Sequence, residues 1–381
     1  MAGDSLEQDQ VRDEVEQQLA HTSFQCSSLN RLSGGTANFV YRGTPLNGDP
    51  ESIIIKHTKN YLSSNASFKL DAARCHFEGA ILKALDGLES YESSEKIIVK
   101  TPRLFHFDKE TNTQILEDLP DSVDLKHYLI ACVSRDMSKS SSHALGHSLG
   151  AWLRAFHHWG SKPGQAETRE ILSKNQTLKD LKFYINYTWL LDTIENFPAI
   201  LEGSREVFEK VRDFAAGELK RTELDNEYNV IHGDFWTGKP SISPSLTFPS
   251  VLMPNEPLTS DSKTTLLVID WEMAQIGNRA LDLGQMIAET YETKLFKNAE
   301  HGVWVIEGFM DGYGPLSDKL AFRTAIQVGA HLVCFGSRVA GWGSPEQVEE
   351  VVKVGRDLIV QAWKENKAWF EGHILRCLFQ W

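Results

Sequence analysis

Two aspartates stand directly after apolar runs, in positions that suit phosphoryl transfer. Asp234 ends the motif Val-Ile-His-Gly-Asp, and Asp270 follows Leu-Leu-Val-Ile about thirty-five residues later. In a phosphoryl-transfer site one carboxylate accepts the proton of the attacking hydroxyl, and another holds the metal ion on the nucleotide phosphates. We therefore predict that Asp234 is a catalytic base and that Asp270 is a ligand of Mg²⁺.

A glycine-rich turn near the N-terminus is a candidate phosphate contact. Gly34 and Gly35 lie between two predicted strands, and the turn continues to Asn38. Glycines form such a turn at low cost, and its backbone N–H groups can face nucleotide phosphates. A plain hairpin turn would have the same sequence.

A lysine and a glutamate further along could complete a nucleotide site. Lys56 ends the apolar run Ile-Ile-Ile, where it can hold phosphates as a point charge, and Glu78 lies on the following predicted helix. Glu78 is a candidate ion-pair partner for Lys56, although Glu89 and Glu92 are available as well. Lys56 could also be a solvated strand end and Glu78 an exposed glutamate. The order of turn, lysine and glutamate nevertheless favours the nucleotide-binding half of a kinase.

The segment Ile-Leu-Glu-Asp-Leu could connect two lobes and contact a base. Backbone groups of Glu117 and Leu119 could form hydrogen bonds with an adenine edge. A simple acidic linker explains the side chains equally well.

Residues beside the two aspartates are predicted to support them. His232 can bind loop backbone, and Gly233 allows the chain to turn. Glu272 could contact metal or water, but a salt bridge is an equal alternative. Asp282, at the start of a predicted helix, could accept backbone N–H groups and brace the loop of Asp234.

Composition limits the possible partners and location. The 381 residues are 41% hydrophobic and 24% charged, with a formal net charge of −13, which argues against binding to nucleic acid or an anionic membrane. The acidic surface is compatible with a cationic substrate but more often serves solubility. Five scattered cysteines without metal spacing indicate reduced thiols. No signal peptide or membrane span is evident, so we predict a cytoplasmic monomer or homodimer.

Hydrophobic patterns predict an α+β protein with two lobes. The N-terminal part is β-rich and small, and the part beyond about residue 120 is larger and mainly helical. We place residues 1–118 in a nucleotide-binding lobe and residues 119–381 in a catalytic and substrate-binding lobe. Predicted helices cover residues 5–20, 67–88, 143–158, 178–195, 203–220 and most of the chain after 278. Predicted strands cover residues 24–32, 38–43, 52–57, 97–99 and 113–116.

These motifs together resemble the aminoglycoside phosphotransferase/choline kinase superfamily, and most closely its fungal enzymes related to methylthioribose kinase. The resemblance covers nearly the whole chain and is most specific in His-Gly-Asp with the later Ile-Asp-Trp-Glu. It implies a protein-kinase-like bilobal fold, ATP, Mg²⁺ and transfer of the γ-phosphoryl group to the hydroxyl of a small molecule. It also implies Asp234 as base, Asp270 as metal ligand and Lys56 as phosphate contact.

The chain departs from this family directly after Gly238. The family usually has Asn or Ser there as a second metal ligand, whereas this chain has Lys239, which offers no acceptor. Residues 239–250 form an atypical Pro/Ser-rich insert. Either the second metal site is degraded, or the insert is a retained intron, since Gly-Lys can be encoded by a splice-donor sequence. We favour the intron.

Two functional classes remain open from the sequence. One is a small-molecule kinase, and the alternative is a catalytically impaired pseudokinase that binds a nucleotide or metabolite. A protein kinase is disfavoured because the His-Arg-Asp and Ala-Pro-Glu signatures are absent. The acceptor pocket could include Trp236, Trp271, Tyr291 and Trp342, which would suit a sugar, an indole or a cation alike.

Overall fold

The computed structural model describes residues 2–32, 37–135, 137–238, 250–259, 262–338 and 342–379. Its α-helices are α1 (Ala2–Leu19), α2 (Arg74–Leu85), α3 (Leu125–Arg135), α4 (Lys139–Ser161), α5 (Ala166–Ser173), α6 (Gln176–Phe183), α7 (Trp189–Asn196), α8 (Pro198–Leu201), α9 (Arg205–Leu219), α10 (Ala280–Lys297), α11 (Glu300–Tyr313), α12 (Asp318–His331), α13 (Pro345–Trp363) and α14 (Lys367–Glu371). Its strands are β1 (Cys26–Arg31), β2 (Phe39–Pro45), β3 (Ile53–His57), β4 (Tyr61–Leu62), β5 (Asn65–Lys69), β6 (Tyr91–Glu92), β7 (Ile97–Lys100), β8 (Leu104–Asp108), β9 (Thr113–Glu117), β10 (Ser122–Asp124), β11 (Tyr228–Ile231), β12 (Val251–Pro254), β13 (Thr264–Val268) and β14 (Gln275–Asn278). Two π-helical turns, Tyr184–Thr188 and Leu332–Gly336, follow α6 and α12.

The N-terminal sheet has the order β1-β2-β3-β9-β8, and all its strand pairs are antiparallel. Ile53 and Ile55 of β3 point to one face and are fully buried, as expected for a strand whose side chains alternate. Val11 and Val15 of α1 pack on this face. The predicted amphipathic helix near the N-terminus is therefore confirmed, and it covers the sheet that carries Lys56.

The helix predicted over residues 67–88 begins later, at Arg74. Residues 61–69 instead form the hairpin β4–β5, so this prediction was wrong at its N-terminal end. Ser63 and Ser64 supply turn chemistry between the strands, and Phe68 and Leu70 fit a two-residue period as well as a helical one. This hairpin lies beside the candidate site.

A second sheet, in the order β10-β12-β13-β7-β6, connects distant parts of the chain. Strand β13, which leads towards Asp270, pairs with β12 on one side and runs parallel to β7 on the other. Because β7 lies before residue 118, both parts of the chain contribute to this sheet. The division of the chain after residue 118 remains a prediction.

The larger part of the chain is helical, which confirms the predicted α+β class with a β-rich N-terminal region. Helices α4 and α11 pack almost backbone to backbone because glycines face each other across the contact. A Cβ built on Gly150 would lie 2.0 Å from the Phe309 carbonyl oxygen, and one on Gly312 would lie 2.1 Å from that of His147. Among the described residues, none of the helices has the length and hydropathy needed to cross a bilayer.

Candidate active site

The loop that carries Asp234 is fixed by a glycine and by a buried carboxylate. Gly233 has a φ of +82°, and a Cβ there would lie 2.2 Å from the Met273 carbonyl oxygen, so a side chain would strain this turn. The backbone N–H groups of His232 and Gly233 donate to the two oxygens of Asp282, at 2.8 and 2.9 Å. The expectation that Asp282 braces this loop is confirmed.

Two neutral histidines complete the support of the loop. Burial lowers the pKa of His232 and of His157. His232 Nε2 lies 2.9 Å from the Ile269 carbonyl, to which it donates, and its Nδ1 accepts from the Asp234 N–H. His157 Nε2 donates to Asp282 at 3.0 Å. Burial opposes the charge on Asp282, but these donors hold its pKa below its usual range.

Asp234 receives two hydrogen bonds on the same oxygen. Lys182 Nζ lies 2.8 Å from Oδ1, and Gln285 Nε2 donates to Oδ1 at 2.7 Å. Lys182 also donates to the Gln285 side-chain oxygen at 2.5 Å. Within the described residues no hydrogen bond reaches Oδ2 of Asp234. The carboxylate is therefore held by one oxygen, and the other is available to a ligand.

Sequence reasoning missed both Lys182 and Gln285. A signal for Lys182 was present, because it lies four residues after Leu178 and so on the apolar face of its helix. Gln285 lies three residues after Asp282, on the same side of α10. Neither position by itself indicates contact with Asp234.

Asp270, Lys56 and Glu78 come together in one buried ion cluster. Lys56 Nζ lies 2.7 Å from Asp270 Oδ1 and 2.8 Å from Glu78 Oε1. Glu78 Oε1 also accepts the backbone N–H of Trp271 at 3.1 Å. Glu78, rather than Glu92, is thus the partner of Lys56, because Glu92 pairs with Lys263 at 2.8 Å.

Asn38 and Glu272 form a second layer around this cluster. The Asn38 amide donates to Glu272 at 2.8 Å, and Arg74 Nε lies 3.2 Å from the same oxygen. Arg74 and Thr58 donate to the side-chain oxygen Oδ1 of Asn38 at 3.0 and 2.9 Å. Of the two alternatives for Glu272, the salt bridge is therefore present. Arg74 was not anticipated from the sequence.

The electrostatics around Asp270 favour a cation. Burial raises the pKa of Asp270, and Glu272 and Glu78 raise it further against the effect of Lys56. Burial lowers the pKa of Lys56, but the carboxylates around it reverse this and move it above its usual range. Glu78 Oε2 is buried without a hydrogen-bond partner among the described residues. A surplus of carboxylate oxygens in a confined space fits Mg²⁺, which prefers hard oxygen ligands.

The predicted hydrogen bonds to the adenine ring are only partly available. The backbone N–H of Glu117 donates to the Arg103 carbonyl at 2.9 Å, and its carboxylate accepts from Lys100 at 2.5 Å. The N–H of Leu119 has no hydrogen-bond partner in the described part of the chain. Leu119 thus offers a free donor here, whereas the N–H of Glu117 is occupied.

Three of the sequence-based sites lie outside the described residues: Gly34, Gly35 and Lys239. Strand β12 begins directly after the insert, at Val251. Ser250, at the end of the insert, is buried, and its hydroxyl donates to the Asp234 carbonyl. The choice between a degraded metal site and a retained intron remains open.

Asp234 and Asp270 line one cleft of about 840 Å³. Of the four aromatic residues expected in an acceptor pocket, Trp236 lines this cleft. Trp271 is instead fully buried in the core, where it contacts Phe156 edge-on and His232 at a tilt. Tyr291 packs on His373, and Trp342 packs on Phe296. Their large apolar surfaces are used for packing, which sequence alone does not distinguish from binding.

Comparison with known proteins identifies the family. The chain is 31% identical over 373 residues to phosphotransferase FrzJ of Cladobotryum sp., a match that covers 95% of this chain and 94% of the relative. It is 24% identical to 4-hydroxytryptamine kinase of Psilocybe cyanescens, over 90% of this chain and 89% of that enzyme. A solved choline/ethanolamine kinase family protein of Mesorhizobium loti shares 15% identity, with a TM-score of 0.46 over 96% of this chain and 98% of that one. No family model matches the chain. Its relatives and its motifs show that the chain belongs to the aminoglycoside phosphotransferase/choline kinase superfamily of small-molecule phosphotransferases.

Proposed function

We propose that the chain is an ATP-dependent kinase that transfers the γ-phosphoryl group to a hydroxyl of a small molecule, with Asp234 as general base and Asp270 as Mg²⁺ ligand. The observation that carries this proposal is the single cleft onto which both carboxylates open. A hydroxyl that binds beside Asp234 is thereby close to phosphates held at Asp270, and such positioning is the main catalytic device in phosphoryl transfer.

Asp234 has the geometry of a general base. Lys182 and Gln285 hold Oδ1, and this leaves Oδ2 to accept the proton of the acceptor hydroxyl. His232 is neutral and bound to backbone, which supports a positioning role for it.

The cluster around Lys56 is suited to nucleotide phosphates. Glu78 and the cleft residue Asp270 both hold the Lys56 ammonium, which would contact phosphate oxygens bound beside Asp270. Asp270 would hold Mg²⁺, which would supply positive charge to offset that of the phosphates. The free N–H of Leu119 is the candidate donor to adenine.

Replacement of Asp234 by Asn tests the proposal. We expect ADP formation with an accepted substrate to fall by at least about 10³-fold, because the base is lost, while calorimetry shows ATP binding within about threefold of the unchanged protein. Turnover that persists in this variant would contradict the assignment. The pseudokinase alternative predicts that the unchanged chain binds ATP but forms no phosphorylated product.

A further inference from the structure

The end of the cleft beyond Asp234 is built from the two π-helical turns. A π-turn inserts an extra residue into a helix and often occurs at functional sites. The turn Tyr184–Thr188 directs Ile185 into the cleft, and the turn Leu332–Gly336 directs Phe335 into it. Trp189, directly after the first turn, packs against Phe335 with ring centroids 5.8 Å apart. The two turns are in direct contact, because the Cys334 thiol of one lies 3.2 Å from the Asn186 carbonyl of the other.

This apolar wall is open to the cleft. Ile185, Trp189 and Phe335 are each half-buried, although Trp189 and Phe335 adjoin the large core of the helical region. On the opposite side the unexpected hairpin β4–β5 contributes Leu62 and Phe68, and Phe68 is 40% exposed. Apolar side chains that remain accessible inside a cleft are typical of sites that bind an apolar ligand.

The composition of the lining limits the chemistry of the ligand. Eleven of the seventeen described residues that line the cleft are apolar, so a polyhydroxylated sugar would leave hydroxyls without partners against its walls. None of these seventeen is lysine or arginine, whereas four are carboxylates: Asp234, Asp270, Glu272 and Glu289. Each of these carboxylates is paired with a lysine or arginine that is not among the seventeen, so the described lining presents no cation to a negatively charged acceptor and suits a neutral or cationic one better.

Glu289 sits at the floor of the cleft in a buried network. It pairs with Lys126, and His331 Nε2 lies 2.5 Å from its other oxygen. The His331 ring stacks on Phe335, with centroids 4.5 Å apart and planes inclined by 15°. This network fixes the Phe335 ring, which is therefore a preorganised flat surface for a ligand.

We propose that the phosphate acceptor is a hydroxylated aromatic compound, neutral or cationic, whose ring lies against Trp189 and Phe335 while its hydroxyl reaches Asp234. This proposal rests on the proposed kinase function and names its substrate class. In the transfer, the aromatic oxygen forms a bond to the γ-phosphorus, the bond from that phosphorus to the β–γ bridging oxygen breaks, and ADP leaves with the electron pair. The hydroxyl proton passes to Asp234.

Substrate comparison provides the first test. The full chain is assayed with ATP and Mg²⁺ against 1-naphthol and 4-hydroxyindole as aromatic probes, and against ribose and choline as polar ones, with mass spectrometry of the products. We expect kcat/KM for the aromatic probes to exceed that for the polar probes by at least about 100-fold. Preferred phosphorylation of ribose or choline would overturn the substrate class and leave the kinase function intact.

Direct binding separates the two proposals if no probe is turned over. Calorimetry on the ATP-saturated chain should then show binding of 1-naphthol and none of ribose at the same concentrations. Absence of turnover with such binding counts against the kinase function only. Binding of ribose without binding of 1-naphthol overturns the aromatic class.

Variants of the wall provide the second test. Phe335→Ala should raise KM for the aromatic probe at least about tenfold and leave KM for ATP within about twofold, because the ring contacts the acceptor only. Phe335→Leu keeps apolar volume and should raise KM for the aromatic probe less than Phe335→Ala does. It provides a second test of the wall if Phe335→Ala does not fold. Phe214→Ala is the matched control, because Phe214 is 44% exposed and packs on Trp363 away from the cleft. An aromatic KM that is unchanged in both Phe335 variants would refute the proposal.

Discussion

The contact between Lys182 and Asp234 leads to the sharpest prediction. Both side chains are buried, and Nζ lies 2.8 Å from Oδ1. Lys182→Met removes the charge and the hydrogen bond but keeps a long, flexible side chain in the same space. Gln285 then remains as the one donor to Asp234 among the described residues.

The size of the effect follows from the loss of a close countercharge. Two unit charges 4 Å apart interact by about 4 kcal/mol at an effective dielectric constant of 20. Desolvation of the lysine and the remaining bond from Gln285 offset part of this, so the net loss is smaller than the Coulomb energy. We expect kcat to fall by about 10²-fold, since the carboxylate loses its countercharge and is less well oriented.

The assay is steady-state ADP release between pH 5 and 9 at saturating ATP and acceptor. Lys179→Met is the matched control, because Lys179 lies on the same helix, is also buried and lines a separate cavity without contacting Asp234. Lys182→Arg should recover part of the rate, because it keeps the charge. The reasoning fails if Lys182→Met has the same kcat as Lys179→Met.

Two further predictions concern the buried carboxylates of Asp270 and Asp282. Asp270→Asn should weaken the binding of Mg·ATP at least about tenfold in calorimetry, because a charged metal ligand is lost, and affinity equal to that of the unchanged chain would exclude Asp270 as a ligand. Asp282→Asn should lower the free energy of unfolding by about 3 kcal/mol at pH 7, because three N–H groups lose a charged acceptor. The folded pKa of Asp282 lies below that of an unfolded aspartate, so its contribution is complete above about pH 4 and is lost as the pH falls through the folded value. Urea unfolding at pH 7 and pH 3 should therefore show a smaller difference at pH 3, and a constant difference would contradict this account.

Residues at the ends of recognisable elements were predictable from the sequence. Lys56 lies on β3 and Glu78 on α2, whereas Asp270 follows the apolar strand β13, and the three meet because these elements converge there. Asp282 was predicted to brace the loop of Asp234, and its carboxylate accepts the N–H groups of His232 and Gly233 in that loop. Local patterns indicate the position and the type of each of these residues. Their order along the chain indicates that they belong to one nucleotide site.

Residues that act across long separations were not predictable. Lys182 reaches Asp234 only because α6 packs beside the loop after β11, and Arg74 reaches Glu272 only because α2 packs on the loop after β13. A charged side chain on an amphipathic helix has the same sequence signal whether it is solvated or paired. The helix prediction was wrong at the hairpin of residues 61–69 for a different reason. A short segment with apolar residues two apart fits the period of a strand as well as that of a helix.

The surroundings of the two aspartates support different roles for them. Asp234 has Lys182 and Gln285 as its described side-chain partners, so a divalent cation placed there would meet an ammonium group and a single carboxylate. Asp270 instead shares Lys56 with Glu78 and lies near Glu272. Two further carboxylates thus surround Asp270, whereas Lys56 is the cation that contacts it. A cation bound at Asp270 relieves repulsion among buried carboxylates, whereas a proton accepted by Asp234 is taken up by an oxygen that has no other partner in the described structure. An exchange of the two roles would place the metal at the carboxylate with fewer carboxylate neighbours and the base at Asp270, whose raised pKa favours the protonated form that cannot accept a proton, so the surroundings favour the proposed assignment over its reverse.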